Sequence, residues 1–472
     1  KILITSPSPA STVTVFKHLC MRLKFKSIRF ERKDNKVLSS HFEFAFVAPD
    51  ALSLFLPDAD LVLIDEAAAI PQQMLSPVID HYKHLVFATT VHGYEGTGRG
   101  FEYKLKPQLK LRFASYRELK LEIPIRFAQN DNLEPIVNRL LGLDIELPAI
   151  NNIHEINSMP LKFECLALHN NQESLSQFED VFGLLVNAHY RTTPNDFRYM
   201  LDGPNLQLFT VKQGGQLVAA SLVAYEGNLD ETLNEAIWRG TRRPRGHLFP
   251  QSLMAHAGFK DAGEFQFARV IRIAVHPDVQ NEGIGSQLLR QLEQFLKEKG
   301  THFLCTSFGA SQSLIGFWRK NGLDFVRLGV KAEASTGEYS AMMMKPLAKV
   351  HEGWYKKVSA RFYQNISIEN KLKLRSKLTF DIPLFNGDLS YEAVSEQDRS
   401  DVNCFAHHYR TLDTCLAALY RCYKGHQKYG QLPLLHEKLI NKLSHDVICQ
   451  NHRLVGEKVL IQSMRLEAIQ LL

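Results

Sequence analysis

The segment ARVIRIAVHPDVQNEGIGSQLLRQLEQFLKEKG, residues 268–300, constrains the fold more than any other stretch of the chain. Ala268 to Val275 is an apolar, β-branched run that predicts a strand. Ile284, Leu288, Leu289, Leu292, Phe295 and Leu296 then recur at helical spacing, which predicts an amphipathic helix. Between them the turn carries Gly283 and Gly285, residues that let a backbone come close to a ligand. A helix N-terminus has unpaired N–H groups and a favourable dipole, so strand, glycine turn and helix together suit a phosphate-bearing ligand. Many glycine turns join strands to helices for steric reasons alone, and the motif by itself leaves that alternative open.

At 472 residues the chain has room for roughly three domains. Its 45% hydrophobic and 22% charged residues exclude a disordered or collagen-like protein. Seven cysteines, scattered and without a CxxC pair, encode neither a disulfide framework nor a zinc ribbon, and a reducing, cytoplasmic setting fits them best. Apolar runs such as 44–49 and 61–64 fall far short of the roughly 20 residues that cross a bilayer, and no signal peptide opens the chain. A membrane role is not expected. From Lys345 onward there are 19 Lys and Arg against 13 Asp and Glu, while the preceding 344 residues carry 37 of each sign. The whole basic excess therefore sits in the last quarter, which points to a polyanion partner or to a solvated lysine-rich face.

The opening, KILITSPSPAS, is a short strand running into a Ser/Pro turn, and reads as cut into an existing fold. Leu61 to Ile64 form a second strand that ends in Asp65 and Glu66. Two acids at the carboxyl edge of a parallel strand are how nucleoside triphosphatases hold Mg2+ and orient the attacking water. Strand Leu85 to Ala88 then precedes a loop with Gly93, Gly96, Gly98 and Gly100, either a phosphate-facing turn or a flexible loop.

TSPSPAS, VLIDEAAAIP, TTVHGYEGTGRGF and PIRFAQ, followed by NAHYRTTPNDFR, RRPRGHL, RIAVHPDVQNEGIG and SFG, run in one order from about Lys1 to Lys345. In that order they resemble the bacterial tRNA(Met) cytidine acetyltransferases, relatives of the RNA cytidine acetyltransferases of archaea and eukaryotes. The resemblance implies an α/β chain: a partial RecA-like, parallel-sheet ATPase module over 1–150, a GNAT acetyltransferase domain over 155–346, and a mainly helical tRNA-binding region over 347–472. It implies acetyl-CoA as acyl donor, ATP with Mg2+ near Asp65, and tRNA, the elongator tRNA(Met), as partner. Arg126 in PIRFAQ matches the family's nucleotide-contacting arginine. No GxxxxGK[ST] occurs in these residues, and His92 stands where many bacterial relatives have Gln. The chain thus reads as a family member lacking the N-terminal region with the P-loop, with ATP binding by Asp65, Glu66 and Arg126 in question.

For acetyl-CoA the resemblance points to the turn Gln280, Asn281, Glu282, Gly283, Ile284, Gly285 and Ser286 for the pyrophosphate, and to the backbone of Ile273, Ala274 and Val275 for the pantetheine. Ser313 and Lys320 stand where the family has an acid and Arg, near the cofactor. Phe317 and Trp318 read as core. Cytidine's exocyclic amine is already unprotonated at neutral pH, so a base is needed mainly to take the proton lost after attack. His276, directly after the central strand, is the best-placed candidate; the alternative is a turn histidine before Pro277. A backbone N–H of the same strand is the expected oxyanion stabiliser.

Arg242, Arg243 and Arg245 in RRPRG, and His189, Tyr190 and Arg191 in HYRT, are expected RNA contacts, with internal salt bridges as the alternative. Trp354, Tyr355, Lys356, Lys357, Arg361 and Tyr363 interleave rings with cations, as an RNA surface or a core would. The expected activity is N4-acetylation of a tRNA cytidine, the wobble position of elongator tRNA(Met), coupled in the family to ATP or GTP hydrolysis. A GNAT acting on a protein or small amine, and a non-catalytic RNA-binding remnant, are the other readings.

Overall fold

The computed structural model describes residues 1–90, 105–121, 128, 131–156, 158–167, 172–187, 194–333, 337–375, 378–382, 394–427 and 430–472. His92, the glycines of 93–100, Arg126 and the HYRT triplet His189, Tyr190 and Arg191 lie outside the described residues.

The first sheet has six strands: β1 (Ile2–Thr5), β2 (Phe30–Lys33), β3 (Lys36–Ser39), β4 (Glu43–Phe46), β5 (Leu61–Ile64) and β6 (Leu85–Phe87), in the order β2-β3-β4-β1-β5-β6. β4, β1, β5 and β6 are parallel, as expected, while β2 and β3 add an antiparallel edge. Side chains alternate along β1, so Leu3 packs with the helix Gln72–His81 on one face and Ile4 with the helix Val13–Phe25 on the other. Burial on both faces is what a parallel sheet needs.

The second sheet has seven strands: β7 (Leu161–Leu166), β8 (Leu206–Gln213), β9 (Gln216–Gly227), β10 (Gln266–Val275), β11 (Phe303–Gly309), β12 (Asp324–Ala332) and β13 (Tyr339–Pro346), in the order β12-β13-β11-β10-β9-β8-β7. Only β10 and β11 are parallel; the other neighbours are antiparallel. Helices Ile284–Glu298 and Gln312–Lys320 cover one face, and helices Gln172–Asn187 and Leu248–Ala257 the other.

Five helices, Glu396–His407, Leu412–Lys424, Pro433–Leu439, His445–Asn451 and Glu457–Ile469, bury a common core around Phe405, Leu419, Leu435 and Met464. The connecting helix Glu352–Lys371 belongs to the last block by sequence and packs against both neighbours. Its Phe362 stacks on Phe325 of β12 at 5.4 Å and 10°, and the Tyr363 hydroxyl donates to Asp324 at 2.7 Å. Trp354 donates to Asp261 at 2.8 Å and packs on Phe265 and Phe303. Arg361 faces the other way, pairing with Asp398 at 2.6 Å and Asp401 at 2.7 Å. The ring-and-cation stretch is therefore core, and only Lys356 and Lys357 among its cations are exposed.

Candidate functional site

β10 and β11 pair from Phe267↔Phe303 to Val270↔Thr306 and no further, although β10 runs on to Val275 and β11 to Gly309. Each strand keeps its outer neighbour: β10 stays on β9 to Val275↔Ala219, and β11 stays on β13 to Gly309↔Ser340. A register shift in β10 between Val270 and Arg272 marks where the strands part. The Thr306 hydroxyl donates to the Val270 carbonyl at 3.2 Å, closing the last rung. The result is a wedge between two parallel strands, with the stretch Ile273, Ala274 and Val275 of β10 unpaired on its β11 side, where an extended amide-bearing chain can add as a strand.

At the open end of the wedge lies the glycine turn. Asn281 has φ +67° and Gly283 φ +84°, both in the left-handed region, and a Cβ at Gly283 would meet nothing within 4 Å. Gln280 donates to the Val275 carbonyl at 3.0 Å and so fixes the turn to the strand end. Helix Ile284–Glu298 then starts at Gly283 with no side-chain cap, leaving the first-turn N–H groups of Ile284, Gly285 and Ser286 without an intrahelical partner. Gly285 is buried, and a Cβ there would lie 3.4 Å from both Val275 and Phe317. Strand end, helix start and the next helix are thus in mutual contact. Ser313 is exposed in the first turn of helix Gln312–Lys320, whereas exposed Lys320 is its last residue, about 10 Å along the axis. Trp318 is core and Phe317 partly buried, as expected.

His276, the candidate base, follows β10 directly, with the Asp278 carboxylate 3.6 Å from its Nδ1. Its side chain is buried, Nδ1 accepts from the Asp278 N–H at 3.3 Å, and Nε2 lies 2.9 Å from the Pro148 carbonyl oxygen. The imidazole ties the end of β10 to residue 148.

In the first sheet, Asp65 follows β5 at the carboxyl edge, where open α/β sheets bind ligands. Its N–H donates to the Thr5 carbonyl at 2.9 Å and its carboxylate accepts from the Glu66 N–H at 3.1 Å. Glu66 is exposed at φ +52°. The buried Thr5 hydroxyl beside them has no partner in the described residues. That one carboxylate and an idle hydroxyl fit an Mg2+ held largely through water; among the described residues no group of three or more His, Cys, Asp or Glu side chains forms a metal cage.

Arg242, Arg243 and Arg245 are all exposed on the loop between helices Glu231–Trp238 and Leu248–Ala257, and none pairs with a carboxylate among the described residues. Burial, then the charges of Arg327, Arg243 and Arg410, push the nearby His256 imidazole down to about 3 from 6.5. A group depressed on folding contributes stability that is complete above 6.5 and declines as pH falls toward 3. Urea melts at pH 5 should therefore show about 2 kcal/mol less stability from this group than at pH 7.5, and His256→Gln should remove that part of the difference.

Three family models match in chain order: the helicase domain of RNA cytidine acetyltransferase NAT10/TcmA over residues 1–144, GNAT acetyltransferase 2 over 180–302 and 297–348, and a tRNA-binding domain over 356–472. The tRNA(Met) cytidine acetyltransferase of Nitrosococcus halophilus is 36% identical over 89% of this chain and 56% of its own length. That of Vibrio cholerae is 33% identical over 100% and 65%. That of Actinobacillus pleuropneumoniae is 30% identical over 98% of this chain and 72% of its own. The chain belongs to the tRNA(Met) cytidine acetyltransferase family. It spans between about half and two thirds of the length of the first two of these relatives. Among solved structures, the ribosomal-protein-S18-alanine N-acetyltransferase of Escherichia coli aligns at 16% identity and TM-score 0.27, over 40% of this chain and 95% of its own. The α/β fold with a helicase-like first module, a GNAT domain and a helical C-terminal region agrees with the architecture read from the sequence. Among the described residues no helix is long and apolar enough to cross a membrane.

Proposed function

We propose that the chain transfers the acetyl group of acetyl-CoA to the exocyclic N4 amine of a tRNA cytidine, the wobble cytidine of elongator tRNA(Met). The observation that carries the reading is the wedge between β10 and β11, opening onto an uncapped helix N-terminus across Gly283. Acetyl-CoA supplies an acyl group already activated as a thioester. The chain's own part is positional: Ile273, Ala274 and Val275 align the pantetheine, and the N–H groups of residues 283–286 take the pyrophosphate, with Gln280 and Asn281 shaping the turn and Glu282 at its rim. Ser313 and Lys320 are proposed as further cofactor contacts, Ser313 from the first turn of its helix and Lys320 from the last. The setting we propose is the cytoplasm, where all seven cysteines stay free thiols.

The decisive experiment is acetyl transfer from radiolabelled acetyl-CoA to tRNA(Met) transcripts with and without the wobble cytidine. Label on the first alone supports the reading, while label on protein or small amines without RNA favours the other acceptors. Arg242, Arg243 and Arg245 are proposed to hold the RNA backbone. Replacing all three with Ala should weaken tRNA binding and flatten its salt dependence by roughly 0.7 to 0.9 per lost phosphate contact, leaving acetyl-CoA affinity unchanged.

For nucleotide, Asp65 is proposed to hold Mg2+ and Glu66 to orient water, with Arg126 as a further contact. These residues lack a GxxxxGK[ST] cradle, so the 472-residue chain should hydrolyse ATP slowly, and Glu66→Gln should change that rate little. Full turnover abolished by Glu66→Gln would overturn this expectation.

A further inference from the structure

Helix Leu248–Ala257, strand β12, the connecting helix and the start of helix Leu412–Lys424 line a partly open cavity of about 50 Å3, away from the wedge and the glycine turn. Arg327 of β12 lines it, and the only hydrogen bond of its guanidinium among the described residues is to the Met342 sulfur at 3.7 Å. Burial first, and the charge of Arg375 next, push its ionisation down to about 10, with Glu369 pulling only partly the other way. Arg361, 6% exposed, spends its two Nη atoms on Asp398 and Asp401, while its Nε is buried with no partner among the described residues. Helix Leu412–Lys424 starts at Thr411 without a side-chain cap, and its first-turn residues Asp413 and Thr414 form part of the wall. The positive end of a 13-residue helix is therefore directed at the same space.

The charges around the cavity do not cancel. Three guanidiniums line it, those of Arg327, Arg361 and Arg375, against two carboxylates, those of Glu369 and Asp413. Glu369 is held by Arg375 at 2.7 Å, and Asp398 and Asp401 are shared among Arg361, Arg410 and Arg421. One positive charge is left over, with an idle N–H and a helix N-terminus beside it. A buried charge in that state is costly unless something answers it.

We infer that this cavity is an anion site for a single phosphate group, located where the acetyltransferase sheet meets the C-terminal helices. The space suits one tetrahedral oxyanion. The phosphate comes either from the RNA backbone, which rests on the tRNA reading above, or as free inorganic phosphate. Arg327→Met tests it, since an unbranched apolar side chain beside Met342 keeps the packing, and Arg327→Lys keeps the charge without the fork.

In the first arm, thermal melts compare inorganic phosphate with chloride at equal ionic strength. A free-phosphate site raises the wild-type midpoint, raises it less in Arg327→Lys and not at all in Arg327→Met. In the second arm, tRNA binding is measured across salt. A backbone site gives about tenfold weaker binding in Arg327→Met, with a slope smaller by the 0.7 to 0.9 of one phosphate and acetyl-CoA affinity unchanged. Either result supports the site. Phosphate no more protective than chloride, together with unchanged tRNA affinity and slope in Arg327→Met, overturns it. Should wild-type protein bind no tRNA, the RNA reading fails by itself, and the phosphate melts still decide the cavity.

Discussion

Gly283→Glu is expected to lower acetyl-CoA affinity by at least about 100-fold, because like charges brought together in a binding site cost several kcal/mol. The substituted carboxylate would stand at the mouth of the helix N-terminus, in the space assigned to the pyrophosphate. The fold should survive, since a Cβ at this position meets nothing within 4 Å. What a side chain must bear is the backbone at φ +84°, a cost of roughly 1 kcal/mol for most residues and less for Asn. Gly283→Asn is therefore the control: it accepts the left-handed backbone, adds no charge, and should retain most of the affinity. Gly285→Glu should also abolish binding but is less clean, because its Cβ would touch Val275 and Phe317 at 3.4 Å inside a packed first turn. Calorimetry decides the matter. Unchanged affinity in Gly283→Glu, with Gly283→Asn also unchanged, would remove the pyrophosphate from this turn.

The turn was legible because everything that forms it is local. Ile284, Leu288, Leu292 and Leu296 repeat on one helix face whatever the rest of the chain does, and a glycine between strand and helix implies a backbone that other residues resist. His276 was not legible in the same way. Its position after β10 was plain, but its Nε2 partner is the carbonyl of Pro148, 128 residues upstream, and no spacing rule reports such a contact. The antiparallel edge of β2 and β3 is not legible because FERK and KVLS are four residues each, FERK is mostly exposed, and neither shows sustained hydrophobic alternation. The basic surplus misled in part for a related reason. Arg361, Arg375, Arg410 and Arg421 add to the charge excess of the last quarter, yet each is held inside the fold by a carboxylate. Arg465 likewise donates to the carbonyls of Phe405, His408 and Arg410. Net charge counts such groups as surface, so the RNA-facing share of the excess is smaller than the sum suggests, and the RRPRG loop carries correspondingly more of the argument.

Asp398→Ala is expected to destabilise the protein by about 3 to 5 kcal/mol, the cost of leaving buried partners of an ion pair without their counter-charge. Asp398 accepts from Arg421 Nη2 at 2.6 Å and Nε at 3.0 Å, pairs with Arg361 at 2.6 Å, and caps its own helix by accepting from the Ser395 N–H at 2.9 Å. Its removal strands two guanidiniums and opens a capping box at once. Burial pushes the Asp398 carboxyl up, and the Arg421 and Arg361 guanidiniums more than reverse this, holding it below the ordinary carboxylate range. A group depressed in this way contributes stability that is complete above the unfolded value near 4 and is lost as pH falls through the folded one. In urea titrations, wild-type protein should thus lose this contribution only in acid, whereas Asp398→Ala lacks it at every pH and should show a flatter acid limb. Asp398→Asn, which keeps the shape and the cap, should fall between the two. The same substitution bears on how the parts communicate. Phe362 and Tyr363 fasten the connecting helix to β12 while Arg361 fastens it to the C-terminal helices, so loosening the second attachment should leave acetyl-CoA affinity in place while tRNA affinity falls. A loss below about 1 kcal/mol, the worth of an exposed pair, would mean that water reaches the network and that the seam is not the buried joint its distances describe.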